Sequence, residues 1–299
     1  MSILRDNVNS GPSKFRELLS NGFVVAPGVF NGISARLAEQ AGFEALYLSG
    51  SAIAGAMGLP DLSVTTSTEV AEEIRRICSA SFLPLIVDAD TGFGEPINVT
   101  RTVRLFEGAG AAGLHLEDQV LPKRCGHLNG KKIVERDEMS RKIKVAIQAR
   151  KNQDFTIIAR TDARSVLGIE DAIERSNIYL ENGADMIFTE ALETVDEFRR
   201  FRKEVHGPLL ANMTEFGKSP LLSVSEIRNI GYNAVIFPVT AFRVTLKAMK
   251  DTYSELIKAG TQRDYMRNLM SRAEFYELIG YNEYEKEDKE LSKLNEGEK

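Results

Sequence analysis

The chain has 299 residues, of which 43% are hydrophobic, and this is enough to bury the large core of a single barrel domain. Its formal net charge of −5 and its pI near 5.5 leave no excess of basic surface to bind a phosphate backbone. Nucleic acid is therefore not an expected partner, and small molecules are.

The same composition indicates the compartment. Cys78 and Cys125 are too few for a disulfide framework and fit a reducing environment. Residues 1–10 lack the apolar core of a signal peptide, and no apolar run approaches the roughly 20 residues that span a bilayer. We therefore expect a soluble cytoplasmic protein that does not bind membranes.

Along the chain, short apolar runs alternate with longer amphipathic segments, a pattern typical of parallel strands joined by helices. Eight strands are predicted, at Phe23–Pro27, Ala45–Ser49, Leu83–Asp88, Gly113–Glu117, Phe155–Arg160, Met186–Glu190, Leu209–Asn212 and Ala234–Phe237. Helical spacing is clearest at Ile33–Ala41, Asn98–Ala109, Arg136–Arg150, Ile169–Asn182, Thr194–Val205 and Thr240–Ala259. Glycines follow several of these helices as stop signals, at positions 42, 110, 183 and 260.

Polar side chains follow nearly every predicted strand. They are Ser49–Gly50, Asp88 with Asp90, Glu117–Asp118, Arg160–Thr161–Asp162, Glu190, and Asn212–Met213–Thr214–Glu215. In a closed barrel these strand ends share one mouth, whereas an open sheet would scatter some of them. We therefore predict one (β/α)8 TIM-type barrel domain, with the barrel at about 13–260, extra C-terminal helices at about 261–282 and a charged tail at 283–299. The tail is expected to be solvated or disordered.

A glycine-rich run at residues 108–113 matches the dinucleotide-binding pattern, with Glu135 downstream. Nucleotide binding needs the glycines to follow a strand and open a helix, but here a helix precedes and a strand follows. The sequence favours a tight helix-to-strand turn. A dehydrogenase would depend on this misplaced run, and tight NADH binding would revive that alternative.

An acidic pair predicts a metal site. Asp88 and Asp90 are two residues apart at a strand end, so their carboxylates lie on one face, where their repulsion favours a cation. Glu117, which ends the next strand, could reach the same ion directly or through water. No His and Cys spacing resembles a zinc site, and oxygen ligands suit Mg²⁺, with Mn²⁺ as the other candidate.

A reactive thiol is predicted at Cys125. Lys123, Arg124 and His127 surround it in the sequence, and such a field favours thiolate over thiol. The loop at residues 120–132 is rich in glycine and charge, which is typical of a mobile lid. We call residues 120–132 the lid loop. Serine hydrolysis is disfavoured, because the chain has no Gly-x-Ser-x-Gly elbow.

Arginines are candidates for binding substrate carboxylates, since a guanidinium presents paired donors. Arg160 ends an apolar strand, where an unpaired cation would be costly. Arg243 and Arg272 fall in helical patterns and are equally well explained as solvated side chains. Asn212 and Thr214 add neutral donors.

Seven motifs together resemble the isocitrate lyase and phosphoenolpyruvate mutase superfamily, most closely its methylisocitrate lyase branch. The resemblance spans about residues 13–285. The motifs are Ser49–Gly50–Ser51, Leu59–Pro60–Asp61, Val87–Asp88–Ala89–Asp90–Thr91–Gly92–Phe93–Gly94, Glu117–Asp118–Gln119, Lys123–Arg124–Cys125–Gly126–His127, Ala159–Arg160–Thr161–Asp162 and Asn212–Met213–Thr214–Glu215–Phe216–Gly217. The Lys-Arg-Cys-Gly-His run resembles the lyases rather than the phosphonate-bond enzymes of the superfamily.

The resemblance implies an Mg²⁺-dependent carbon-carbon lyase that cleaves the tricarboxylate 2-methylisocitrate to pyruvate and succinate, within the methylcitrate cycle. It implies catalytic roles for Cys125, Tyr47, Lys123 and His127, with Tyr47 as candidate base or its partner and Cys125 as acid. The implied metal ligands are Asp88 and Asp90, and Asp61 and Glu117 would contact the ion through water. Substrate binding falls to Ser49, Gly50, Ser51, Gly126, Arg160, Glu190, Asn212, Met213, Thr214, Arg243 and Arg272. Phe188 and Pro238 resemble the residues that make room for the extra methyl group.

The resemblance further implies a homotetramer in which C-terminal helices exchange between barrels, although the same apolar helix face could pack on its own barrel. Other activities remain open. A lyase or decarboxylase of the superfamily that acts on isocitrate, oxaloacetate or a malate-type acid would share Asp88, Asp90 and Arg160. A barrel without catalytic activity, used as a scaffold, is the last alternative, and it predicts no metal-dependent turnover.

Overall fold

The structure is a computed structural model that describes residues 10–293. Its centre is a closed barrel of eight parallel strands paired in chain order, with the eighth returning to the first. The strands are β1 Val24–Val29, β2 Leu46–Leu48, β3 Leu85–Asp88, β4 Gly113–Glu117, β5 Thr156–Thr161, β6 Met186–Thr189, β7 Leu209–Asn212 and β8 Ala234–Phe237. All eight predicted strands are present, and the predicted (β/α)8 class is confirmed.

Helices alternate with the strands. They are α1 Gly11–Asn21, α2 Gly32–Gln40, α3 Gly50–Ala56, α4 Ser67–Ala80, α5 Pro96–Ala109, α6 Arg136–Ala149, α7 Arg164–Leu167, α8 Ile169–Glu181, α9 Val195–Glu204, α10 Val224–Ile230 and α11 Thr240–Ala259. Several begin at a capping box. In α4 the Thr66 side chain accepts from the backbone N–H of Glu69, and the Glu69 carboxylate accepts from the N–H of Thr66.

The core has two main parts. One lies between strands and helices, where residues such as Phe106, Phe155 and Ile74 are fully buried. The other lies inside the barrel and includes Phe15 of α1 together with inward-facing strand residues. Phe15 packs with residues that begin the strands, such as Val24 and Ala234. The N-terminal end of the barrel is therefore filled by apolar side chains, and the strand-end polar groups lie at the other end.

The glycine-rich run is the helix-to-strand turn that the sequence favours. Helix α5 ends at Ala109, Gly110 follows with a left-handed φ of 108°, and β4 begins at Gly113. A Cβ at Gly113 would lie 2.5 Å from the carbonyl oxygen of Thr156 on the neighbouring strand. These glycines allow close backbone packing. Cys78 lies in α4, where its thiol donates to the carbonyl of Gly110.

The chain divides into two compact units, and the second begins at Arg243, inside α11. The sequence pattern places the end of the barrel later, near residue 260, and the assignment to one domain stays a prediction. Beyond α11 the C-terminal unit holds a 3₁₀ helix Arg263–Asn268, α12 Arg272–Ile279 and α13 Tyr281–Lys293. In the described residues, no helix is both long and apolar enough to cross a membrane.

The start of the charged tail differs from the expectation of disorder. Residues 283–293 belong to α13, because acidic and basic residues one turn apart can pair, as Lys289 and Glu285 do at 3.2 Å. The side chains of this segment are mostly exposed, so the expected solvation holds there. The described part of the chain excludes residues 294–299, which end the charged tail. It also excludes residues 1–9, which the sequence predicts not to be a signal peptide.

Candidate active site

Two carboxylates meet at the end of β3. Asp88 accepts the backbone N–H of Gly50 at 3.2 Å on Oδ2 and that of Asp90 at 2.9 Å on Oδ1. Asp90 follows in the left-handed region with φ 46°. A Cβ at Gly50 would lie 3.0 Å from Asp88 Oδ2 and 3.4 Å from Asp90 Oδ1. A side chain at position 50 would crowd both carboxylates, so glycine suits the close approach of α3.

A lysine from the lid loop reaches this acidic pair. Lys123 is buried, its Nζ hydrogen-bonds Asp61, and it lies 2.9 Å from Asp90 Oδ1. Burial alone would lower the pKa of Lys123, but Asp90, Glu117 and the neighbouring acids outweigh it and raise that pKa well above its ordinary value. Lys123 is therefore a charged ammonium among carboxylates.

The electrostatics of the pair differ between its members. Burial opposes ionisation of Asp88, but His115, Lys123 and Arg160 outweigh it and hold the pKa of Asp88 below its ordinary value. Burial raises the pKa of Asp90 to about 6, with Lys123 acting against the shift. The site thus concentrates negative charge that a nearby cation must balance.

Arg160 lies among three acidic side chains. Its Nε donates to Asp162 Oδ2 at 2.9 Å and lies 3.2 Å from Glu117 Oε2, and its Nη2 lies 3.7 Å from Glu190 Oε2. The guanidinium also stands 5.0 Å from the centre of the Phe188 ring. Although burial acts against it, Asp162, Glu117 and Glu190 raise the pKa of Arg160 well above its ordinary value. Arg160 is a fixed, buried cation at the barrel mouth.

The lid loop lies over Arg160 and Glu190. A Cβ at Gly126 would lie 2.6 Å from Arg160 Nη2 and would also collide with the Glu190 carboxylate. His127 Nε2 lies 3.2 Å from Glu190 Oε1, while its Nδ1 accepts the backbone N–H of Lys218 at 3.1 Å. The loop thus brings Cys125, Gly126 and His127 to the mouth where Arg160 lies.

The predicted thiolate character of Cys125 is wrong. Burial raises the pKa of the Cys125 thiol, and the backbone N–H of His127 opposes this only in part. The cations that the sequence places beside it are engaged elsewhere, since Lys123 pairs with Asp61 and Asp90, and Arg124 donates to Asn129 O. Cys125 is a protonated thiol at neutral pH, which suits a proton donor.

Tyr47 shares a hydrogen bond with His115, at 2.8 Å between Oη and Nε2, and the two rings stack. Burial raises the pKa of Tyr47 well above its ordinary value, and burial lowers the pKa of His115 to about 4. The phenol therefore keeps its proton in this environment, which disfavours Tyr47 as the base.

The remaining predicted residues divide into four groups. Asn212 donates to Glu190 Oε2 at 3.3 Å, and Thr214 donates to Asn212 Oδ1 at 2.7 Å, so both lie at the mouth. Met213 does not join them, because its side chain packs in the core and its sulfur accepts the N–H of Leu222. Ser49 is the N-cap residue of α3 and makes no capping hydrogen bond with its side chain, and the first turn of α3 contains Gly50 and Ser51. Arg243 and Arg272 belong to the C-terminal unit, and their substrate roles stay predictions.

Sequence reasoning assigned no role to His115, Asp162 or Lys131. The sequence did contain a signal for the first two. His115 lies two residues before Glu117, and Asp162 lies two residues after Arg160. Because alternate strand positions share a face, both could have been predicted to point toward the site. Lys131 comes from a loop without periodicity. Only the fold brings it to Asp162.

The donor set fits a divalent cation. Asp88 and Asp90 offer oxygen atoms. The buried Glu117 oxygens accept no hydrogen bond from the described residues, although Oε2 lies 3.2 Å from Arg160 Nε. Burial raises the pKa of Glu117 well above its ordinary value. Within residues 10–293, no group of three or more His, Cys, Asp or Glu side chains has the arrangement of a metal site. Two carboxylates with water ligands are the set that Mg²⁺ commonly uses.

Comparison with known proteins places the chain in a family. The phosphoenolpyruvate phosphomutase family model matches residues 15–257. A 2-methylisocitrate lyase of Aeropyrum pernix is 54% identical over 282 residues, which cover 94% of this chain and 91% of that protein.

Two solved structures share the architecture. A 2,3-dimethylmalate lyase has a TM-score of 0.87 at 35% identity, covering 94% of this chain and 95% of its own. A phosphonopyruvate hydrolase in complex with oxalate and Mg²⁺ has a TM-score of 0.84 at 31% identity, covering 92% and 96%. The resemblance drawn from the sequence motifs is confirmed. The chain is a carbon-carbon lyase and belongs to the phosphoenolpyruvate phosphomutase family, in the superfamily of isocitrate lyase and phosphoenolpyruvate mutase.

Proposed function

We propose that this enzyme cleaves 2-methylisocitrate to pyruvate and succinate and needs Mg²⁺, with Mn²⁺ as an alternative ion. The observation that carries the proposal is the convergence of the Asp88 and Asp90 carboxylates, Arg160 and the lid thiol Cys125 on one barrel mouth. The 54% identity to a 2-methylisocitrate lyase supports the choice of substrate.

Asp88 and Asp90 would hold the cation, with Asp61 and Glu117 through water. When bound, Mg²⁺ supplies Lewis acidity that favours ionisation of the substrate hydroxyl. Tyr47 keeps its proton, so it stays a candidate for holding that hydroxyl by a hydrogen bond rather than for removing its proton. On this side we assign substrate binding to Ser49, Gly50 and Ser51 at the start of α3, and a catalytic role to Lys123 beside Asp90.

In the cleavage step the substrate hydroxyl gives its proton to solvent water, its oxygen forms the carbonyl of pyruvate, and the carbon-carbon bond breaks. The electron pair stays on the succinate fragment as an aci-carboxylate. Arg160, Asn212 and Thr214 bind that fragment, with Arg243 and Arg272 as further candidates. Cys125 then donates its proton to carbon and forms no covalent bond, which agrees with a thiol whose pKa is raised. His127 and Gly126, held against Glu190, place the donor.

We infer from Phe188 that the enzyme accepts a substrate with a methyl group. Its ring packs edge-on against His115, with centres 5.0 Å apart, and lies beside Arg160. A buried aromatic at this point gives the pocket an apolar wall, which suits a methyl group on the substrate. Pro238 is the second residue that the resemblance connects with the methyl group. It is buried, and its carbonyl leaves no room for a side chain at Gly28.

A substrate panel tests the proposal. The purified chain with Mg²⁺ is given 2-methylisocitrate, isocitrate, oxaloacetate and 2,3-dimethylmalate in parallel, and the products are identified by mass spectrometry. We expect pyruvate and succinate from 2-methylisocitrate at the highest kcat/KM. A higher value for 2,3-dimethylmalate, which the structural similarity makes the second candidate, or for isocitrate with glyoxylate released, would overturn the choice of substrate.

We also infer a cytoplasmic homotetramer. The free thiols Cys78 and Cys125 fit a reducing compartment. The C-terminal unit exposes apolar side chains, among them Leu269 and Phe275, at 45% and 42% exposure. These suit the helix exchange that the resemblance implies.

A further inference from the structure

A second lysine of the lid loop is buried without a place in the proposed chemistry. Lys131 is 7% exposed, its Nζ donates to Asp162 Oδ1 at 2.7 Å, and it also hydrogen-bonds the carbonyl oxygen of Gly126. A buried ammonium is costly unless it is paired and hydrogen-bonded. Both of its partners are at the barrel mouth, one in the loop itself and one at the end of β5.

The carboxylate that Lys131 binds is shared with Arg160. Lys131 contacts Oδ1 of Asp162, and Arg160 Nε donates to Oδ2 of the same side chain. Asp162 cannot easily shift, because its backbone N–H donates to the buried Asp118 at 2.9 Å. Asp118 is in turn held by the hydroxyl groups of Thr161 and Tyr179. One rigid carboxylate thus joins the lid loop to the arginine.

The second bond of Lys131 fixes the residue next to the thiol. Gly126 follows Cys125, and its carbonyl is held by Lys131 while its Cα lies against Arg160 and Glu190. Loss of the ammonium would leave that carbonyl and Asp162 Oδ1 with one partner fewer. The residue that follows Cys125 would then lose its link, through Lys131, to the carboxylate at the end of β5.

We propose that Lys131 is a positioning residue that holds the lid loop closed over Arg160 and so places Cys125 at the reacting carbon. The last clause rests on the proposed function, whereas lid closure does not. The two can be separated, because closure is measurable by chemical modification of Cys125 without any turnover.

The test compares Lys131→Met with the control Lys132→Met, which removes an adjacent but exposed lysine. Each substrate-free protein reacts with iodoacetamide at one pH, and peptide mass spectrometry separates Cys125 from Cys78. We expect Lys131→Met to raise the alkylation rate of Cys125 about tenfold or more, the factor that a charge-assisted hydrogen bond is worth. Lys132→Met should stay within about twofold of the native rate, since surface changes have small effects. Equal rates in Lys131→Met and the native chain would overturn the proposal.

A third variant distinguishes positioning from bulk stability. Lys131→Arg restores a cation that can pair with Asp162. We expect it to return the alkylation rate to near the native value, and failure to do so would contradict a role through the ion pair. If Lys131→Met does not fold, Lys131→Gln replaces it, because glutamine keeps an N–H donor but carries no charge. A raised alkylation rate of Cys125 would then support the proposal, and a native rate would overturn it.

The two proposals fail separately. If the native chain cleaves no substrate, the proposed function is wrong, but the alkylation rates still decide the role of Lys131.

Discussion

At the scale of single residues, the sequence and the structure disagree on the protonation state of Cys125. The neighbouring Lys123 and Arg124 predict a thiolate, but burial raises the pKa of the thiol and both cations are engaged elsewhere. A raised pKa means that the thiol is protonated at pH 7 and ionises only at higher pH.

We therefore expect the alkylation rate of Cys125 in the substrate-free protein to rise about tenfold per pH unit from pH 7 until beyond the free-thiol pKa of about 8.5. The rate is followed by peptide mass spectrometry with glutathione as the free-thiol control. A plateau below pH 8 would show a stabilised thiolate and contradict the account.

Cys125→Ser tests the acid role. Serine is a far weaker proton donor in the same position, so kcat on 2-methylisocitrate should fall by about 10²–10⁴-fold, the usual worth of general acid catalysis. The thermal midpoint should change little. Cys78→Ser is the matched control, because a hydroxyl can replace the thiol that donates to Gly110, and its kcat should stay near native. Near-native turnover by Cys125→Ser would remove this residue from the mechanism.

At the scale of elements, two loops meet over the barrel mouth. His127 of the lid loop accepts the backbone N–H of Lys218, and the Lys218 side chain donates to Asn129 at 2.9 Å. The loop after β7 is therefore a support for the lid loop. The sequence assigns Asn212, Met213 and Thr214 of this segment to substrate binding and gives no sign of this contact.

Gly217→Ala should disturb that support, because a Cβ there would lie 2.7 Å from His127 Nδ1. We expect kcat/KM to fall by about tenfold or more, since misplacing a catalytic group by about 1 Å can cost 10²-fold. Gly108→Ala is the control, as nothing lies within 4 Å of a Cβ in that helix position, and the change should stabilise the protein by about 0.5–1 kcal/mol with native kinetics. Steady-state kinetics and urea unfolding measure both, and unchanged kinetics for Gly217→Ala would contradict the supporting role.

At the scale of the whole molecule, the two barrel ends differ in kind. The N-terminal end is filled by Phe15 and apolar strand residues, and the C-terminal end holds buried ionised groups. Phe15→Ala should therefore lower the free energy of unfolding by about 3–5 kcal/mol, as large-to-small core changes do. Turnover at 25 °C should stay within about twofold if the protein is folded. A large kinetic effect without loss of stability would contradict this separation of stability from chemistry.

Much of this organisation could be predicted from the sequence. Strand positions follow from apolar runs that are buried on both faces, and Asp88, Glu117 and Arg160 were placed at one mouth because barrel strands end together. The pKa of Cys125, the core position of Met213 and the contacts of Lys131 could not be predicted. They depend on burial and on loop paths, which no local pattern encodes.

We propose that Asp88 and Asp90 hold a cation and that the same pocket cleaves 2-methylisocitrate. The most direct test follows pyruvate formation against Mg²⁺ concentration in the native chain and in Asp88→Asn. We expect the native chain to release pyruvate only with Mg²⁺ and to lose this activity when a chelator is added. In the variant the rate should fall by about 10³-fold or more, because several kcal/mol of charge stabilisation by the metal is removed. Equal pyruvate formation by both proteins, unaffected by the chelator, would contradict it.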